Sequence, residues 1–239
     1  NASFDDWSTD ANNAKLYNPW GQGGVSFWDT GNRGATTVGN SNSVPTDDTS
    51  TGSGKAAYLE SKWIVIKFAA GNIFTGTYLK TDGTNGVLGF GRPFTAFPTK
   101  LSFDYKYNSE EISKVGDDAY SYLMGRPDSC NIYVALWHIA EGEHEEFQGD
   151  KYPLIIRTKP GMEQNLFHPD DPRVIAYGQF TEGRTINNWT SETIDIEYKN
   201  TQLAPTHILV VASSSKYGDF FTGGVGSTLV LDNMKLIYD

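Results

Sequence analysis

Apolar residues recur along this chain mainly at every second position. Leu101, Phe103, Tyr105 and Tyr107 alternate with Lys100, Ser102, Asp104 and Lys106, the pattern of a strand with one wet face. Ile194, Ile196 and Tyr198 alternate with Thr193, Asp195 and Glu197 in the same way. Residues 131–139 are apolar at successive positions, which predicts a central strand covered on both faces. Residues 63–68 and 207–212 read as equally buried strands. Near the C-terminus Leu229 and Leu231 lie in one phase, while Met234, Leu236 and Tyr238 lie in the other. The slip predicts a bulge or tight turn at Asp232-Asn233; without it one half would aim its apolar side chains at water. Because no long stretch repeats apolar residues at i, i+3, i+4 and i+7, helix should stay under about 10% of the chain.

Polar stretches separate these runs. Residues 39–54 carry almost no large apolar side chain and read as an exposed loop. Residues 81–86 form a turn, 108–118 are acidic with room for a short helical turn, and 141–150 read as an acidic loop or hairpin tip. Residues 160–173, with Pro169 and Pro172, form a long irregular connection. No composition break marks a linker, and no segment repeats. Short strands joined by long polar loops predict one all-β domain over residues 1–239. Its expected architecture is an antiparallel β-sandwich of the jelly-roll kind.

The formal net charge is −10. A phosphate backbone or an anionic membrane is repelled by such a field, whereas a neutral sugar polymer is not. No apolar run approaches the ~18 residues of a membrane-spanning helix. Cys130 is the only cysteine, so neither an intramolecular disulfide nor a cysteine metal cluster can form, and the thiol reads as a core residue. His138, His144, His168 and His207 lack metal-ligand spacing. Nucleophile-elbow, Walker and dinucleotide fingerprints are missing. Clustered carboxylates such as Glu141, Glu143, Glu145 and Glu146 read as solvated loop faces. No pair stands out as the two carboxylates a glycosidase needs. Aromatics make up 13% of the chain, with six Trp, and flat rings beside polar groups suit the C–H faces and hydroxyls of sugars. Trp20 and Trp28, in Gly-rich polar surroundings, are better stacking candidates than Trp63 or Trp137.

Several phrases carry a family resemblance. They are Phe4-Asp5-Asp6-Trp7, Trp28-Asp29-Thr30-Gly31-Asn32, Ala56-Ala57-Tyr58-Leu59-Glu60, Ala70-Gly71-Asn72-Ile73-Phe74-Thr75-Gly76 and Phe90-Gly91-Arg92-Pro93-Phe94-Thr95, followed by the tail 213–239. In this order the chain resembles the putative carbohydrate metabolism domain family of bacterial surface lipoproteins. The resemblance implies a jelly-roll sandwich similar to galactose-binding-like and carbohydrate-binding modules. It also implies export, with a lipid anchor upstream of Asn1 and a place at the outer membrane, the cell surface or the periplasm. It brings no catalytic residues. Sandwiches of this kind often hold a structural calcium between the first and last strands, for which Asp6 and Asp232 are candidates; no other cofactor is implied.

The expected ligand site lies on two loops, residues 90–95 and 214–222, where Gly lets the backbone approach a ligand closely. Arg92 would donate a fork of hydrogen bonds to hydroxyls. A sugar would stack on Tyr217 between Lys216 and Asp219, with Trp28 as a further platform. The competing reading makes both loops structural, with Arg92 satisfying loop carbonyls and Phe94, Phe220 and Phe221 plugging the sandwich. The expected function is a monomeric, non-catalytic glycan-binding or glycan-capturing domain. The alternatives are a glycoside-active enzyme and a structural or adhesion module.

Overall fold

The alternating segments pair into two antiparallel sheets. The computed structural model describes residues 2–238 and is 49% strand and 5% helix. Asn1 and Asp239, the ends of the expected domain and of the tail motif, lie outside the described residues. The smaller sheet has five strands in the order Ile186–Asp195, Lys100–Asn108, Thr228–Ile237, Ala56–Glu60 and Ser43–Thr46. The larger sheet has nine. Its main path runs Leu154–Arg157, Asn85–Phe90, Asn72–Asp82, His207–Ser213, Cys130–Trp137, Val174–Glu182 and Glu197–Tyr198. Trp28–Asp29 pairs with Asn72–Asp82, and Arg92–Pro93 with His207–Ser213. Neighbours in both sheets run antiparallel. The chain is therefore an all-β antiparallel sandwich.

The two inner faces make one core. Leu101, Phe103, Tyr105 and Tyr107 meet Ile132, Val134, Leu136, Val210 and Ala212. Burying each large side chain removes apolar surface worth roughly 1.5–3 kcal/mol from water. Cys130 is in this core as expected, and burial pushes its thiol pKa up to about 12. The slip at the C-terminus is a real bulge. Ser102 pairs with Lys235 and Asp104 with Asp232, so one strand has an extra residue there, and Asn233 takes a φ of 50°. Leu231 and Met234 thereby both reach the core although three positions apart.

Four expectations change. The run through Tyr198 is not one strand: Ile186–Asp195 belongs to the smaller sheet and Glu197–Tyr198 to the larger, with Ile194 and Ile196 both in the core at the crossing. Residues 39–54 are not all exposed loop, because Ser43–Thr46 is an edge strand. Asn42 and Ser43 are buried there, their N–H groups donating to Asn32 Oδ1, each at 3.1 Å. Residues 63–68 are not a buried strand. They lie in a hairpin, Lys62–Ile64 against Lys67–Ala69, which leaves Val65 and Ile66 65% and 67% exposed while Phe68 is buried. The short helical turn also lies later than expected, at Asp118–Leu123, where the Asp117 carboxylate accepts the Ala119 N–H.

The larger sheet is apolar on its outer face as well. Phe74, Tyr133, Ala135, Trp137, Leu209 and Val211 form a second buried cluster. Part of it is covered by the irregular connection, whose Phe167 stacks on Tyr133 with ring centroids 5.1 Å apart.

The hairpin geometry separates two substitutions that a buried strand would not. Phe68→Ala should lower unfolding free energy by about 3–5 kcal/mol, and Ile66→Ser should change it by less than ~0.5 kcal/mol, as read from urea denaturation.

Candidate functional site

Register places two short rows across the outer face of the larger sheet. Asn72, Ser213 and Asn131 are neighbours across three strands, and Phe74, Val211 and Tyr133 form the next row. A polar row thus borders an apolar one. Beside the irregular connection these rows floor a cavity of about 240 Å³. One wall is the helical turn Asn32–Ala35 with Val38, and another is the Lys62–Ala69 hairpin. The turn at 83–86 and the loop 214–222 complete it.

The first wall shows why the Trp28–Asn32 phrase is built as it is. The Asp29 carboxylate accepts the Tyr78 N–H at 2.7 Å, beside the point where the pairing of Asn72–Asp82 with Asn85–Phe90 slips. Asn72 Oδ1 accepts the Gly31 N–H at 2.9 Å. The buried Asn32 amide donates to the carbonyls of Tyr17 and Ser43 and accepts from the N–H groups of Asn42 and Ser43. Any side chain at Gly34 would collide with the Tyr78 hydroxyl, 2.6 Å from where its Cβ would stand.

The opposite wall is held from below. Asp128 is fully buried, and its carboxylate accepts the Ser215 hydroxyl at 2.5 Å and the N–H groups of Gly224 and Ser129 at 2.7 and 2.8 Å. Ser61 Oγ lies 2.6 Å from Ser215 Oγ and 2.8 Å from Ser214 Oγ. Tyr107, from the core, donates its hydroxyl to the Ser214 carbonyl at 3.0 Å. Above this root the loop presents two faces. Lys216, Asp219 and Phe221 line the cavity. Tyr217 and Phe220 turn away and pack on Tyr120, with centroids at 4.9 and 4.6 Å.

Asp219 dominates the electrostatics. Among the described residues its carboxylate has no hydrogen-bond or ion-pair partner, and it is the one carboxylate that lines the cavity. It opens on the cavity and is reachable by solvent, yet the surrounding walls push its pKa up to about 6. Burial raises the Tyr133 phenol well above its usual range, and the nearby Asp219 charge adds to the shift. Lys67 crosses from the hairpin to the facing turn, donating to Asn85 Oδ1 at 2.6 Å and to Thr84 Oγ1 at 3.3 Å. Its ammonium lies 3.3 Å from the Phe221 ring centroid, and burial lowers its pKa.

A family model matches residues 3–237, almost the whole chain, under the description putative carbohydrate metabolism domain. The chain belongs to that family. No curated protein matches this member. Its fold is similar to that of a solved structure described as a putative glycoside hydrolase from Bacteroides thetaiotaomicron. That match has a TM-score of 0.72 and 21% identity, over 100% of this chain and 70% of that one. A second, described as a putative glycoside hydrolase from Bacteroides vulgatus, has a TM-score of 0.64 and 21% identity, over 97% and 89% of the two chains. At such identity the likeness is one of fold.

In this family member the sequence candidates separate. Lys216 and Asp219 come together on the cavity. Tyr217 belongs to the tyrosine cluster behind the loop, so it offers the cavity no stacking face. Trp28 is a correction. It is buried in the inter-sheet core, its ring 5.4 Å from that of Phe4, and cannot serve as an exposed platform. Trp63, ranked below it, is 45% exposed. Arg92 donates to the carbonyls of Phe27 and Gly76 and to Ser26 Oγ, the structural role weighed for it, and residues 92–93 are strand rather than open loop. The Asp232 oxygens accept from Ser50 and the Asn233 N–H. Among the described residues no group of three or more His, Cys, Asp or Glu converges on one position. The sequence reading missed Asn131, Tyr133, Ser213 and Lys67. The first three sit in strands that read as plain core, and only register shows which of their faces is left uncovered.

Two measurements check this account. Asp128→Ala leaves a hydroxyl and two N–H groups buried without their acceptor and should lower unfolding free energy by roughly 3 kcal/mol. The Asp219 carboxyl should titrate near 6 in a carbon-13 NMR titration. Its folded pKa lies above the unfolded value of 3.8, so the native state binds the extra proton between the two. Its contribution to stability therefore falls as pH rises from about 4 to about 6. Asp219→Asn should flatten that part of the stability profile.

Proposed function

We propose that this chain is a glycan-capturing domain of the bacterial cell surface, tethered by a lipid anchor upstream, and that the sugar enters the cavity beside Asp219. The observation that carries the reading is an unpartnered carboxylate facing a cavity whose floor is polar on one row and apolar on the next. Such a floor matches a sugar ring, with hydroxyls at its edge and C–H groups on its face. At about 240 Å³ the space lies just below the ~300–1,000 Å³ of drug-sized sites. That suits one ring at the end of a glycan rather than a long chain laid across the sheet. Membership of a carbohydrate metabolism family agrees with this ligand class.

A second reading, hydrolysis, has its own support. A carboxyl with a pKa of about 6 suits a general acid, and two structures of the same fold are described as putative glycoside hydrolases. Against it, a glycosidase sets two carboxylates about 5–10 Å apart, and among the described residues Asp219 lines the cavity without a second.

A glycan array probed with the intact chain tests both readings. Asp219→Ala and Lys216→Ala should each weaken binding by about 1–3 kcal/mol with little change in melting temperature. Arg92→Ala and Tyr217→Ala should lower the melting temperature and leave binding intact. Release of reducing ends that disappears in Asp219→Asn would replace capture with hydrolysis.

A further inference from the structure

The cavity is more apolar than a bare hexose needs. Beside the row Phe74, Val211 and Tyr133, its interior includes Leu88, Phe90 and Phe68. Its rim is apolar too, with Val38 61% exposed next to Val65 and Ile66. Val65, at the hairpin tip, holds a φ of 53°, a costly conformation for a β-branched residue. An unsubstituted sugar has hydroxyls around its whole edge, and those facing this side would lose water without gaining a partner. Polar groups also line the space, at Thr84 and Asn85 of the turn and at Asp219, Asn131 and Ser213 across from it. Among them Asp219 can only accept hydrogen bonds when ionised and has no partner among the described residues, while the Ser213 hydroxyl donates to the Ser215 carbonyl. The ligand must therefore bring a donor and an apolar group close together. A free amine would supply a donor as a cation, but two ammonium groups, Lys67 and Lys216, already line the space.

We infer that the cavity selects an N-acylated amino sugar at a glycan end, its amide N–H donating to Asp219 and its acyl methyl lying against the apolar rows and rim. This deepens the capture reading and rests on it.

The test is titration of the intact chain with methyl glycosides, followed by amide chemical-shift changes in NMR. The probes are N-acetylglucosamine and N-acetylgalactosamine, their parent hexoses glucose and galactose, glucosamine as the free amine, and glucuronic acid. The acetylated sugars should bind at least tenfold more tightly than the parents. Asp219→Ala should abolish most of that binding at an unchanged melting temperature, and Ile66→Ser should shrink the preference for the acetylated form. Equal binding of parent and acetylated sugars, both lost in Asp219→Ala, would overturn the inference while leaving glycan capture standing. Tightest binding of glucosamine or glucuronic acid would overturn it in favour of charge recognition. Acetylated-sugar binding that survives both substitutions would place the sugar elsewhere and overturn it. Failure of every probe here and of every glycan on the array would sink the capture reading as well.

Discussion

The larger sheet is apolar on both faces, and both must be covered. Sandwich packing solves one face, where Phe103 and Tyr107 of the smaller sheet meet Val134 and Val210. Among the described residues no second large sheet packs on the other. There the molecule uses loops, a helical turn and a hairpin, and Phe167 stacks over Tyr133 as part of that cover. A cavity remains where these irregular pieces do not meet, floored by the same strands that make the core rigid. The site is thus a by-product of how an apolar face is covered from one side only, which is why it sits on strands rather than at the loop tips of the sandwich.

Irregular cover needs fastening, because loops lack the ladder that holds strands. The fastening is polar and buried. Asp128, Ser215, Ser61 and Ser214 form a connected chain under the loop 214–222, and Asn32 does the same under the opposite wall through four hydrogen bonds. Burial raises the pKa of the Asp128 carboxyl, and its hydrogen bonds to Ser215, Gly224 and Ser129 work against that shift. Such groups cost much if left unpaired and little when every partner is present. They define where the cavity walls stand. Among the described residues Asp219, further along the same loop, has no such partner, so the two carboxylates contrast sharply.

Legibility followed the range of the forces involved. The alternation at Leu101 to Tyr107, the central strand after Cys130 and the bulge at Asp232-Asn233 were readable because each depends on neighbouring residues and one covered face. The hairpin at Lys62–Ala69 was not, since an apolar run of that length looks the same whether it is buried or bends outward. Ser43 was missed because its polar side chain signals exposure unless a partner such as the Asn72 backbone is brought to it from a distant segment. The Gly and charge of their loop singled out Lys216 and Asp219, which line the cavity, whereas Trp28 was misplaced because Gly-rich surroundings say nothing about the ring of Phe4 lying against it.

By itself the sequence determined the class of the fold, several of its central strands, the burial of Cys130 and the acidic net charge. These are sums of local patterns and of charge. Tertiary structure alone decided which apolar face stayed partly uncovered, that Arg92 turns its guanidinium to the carbonyls of Phe27 and Gly76, and that Tyr217 and Asp219 face opposite ways from one short loop. The reason is geometric. A residue's role at a site depends on which remote segments pack against its two sides, and strand register and buried hydrogen bonds set that packing across separations of a hundred residues or more, as between Tyr107 and Ser214.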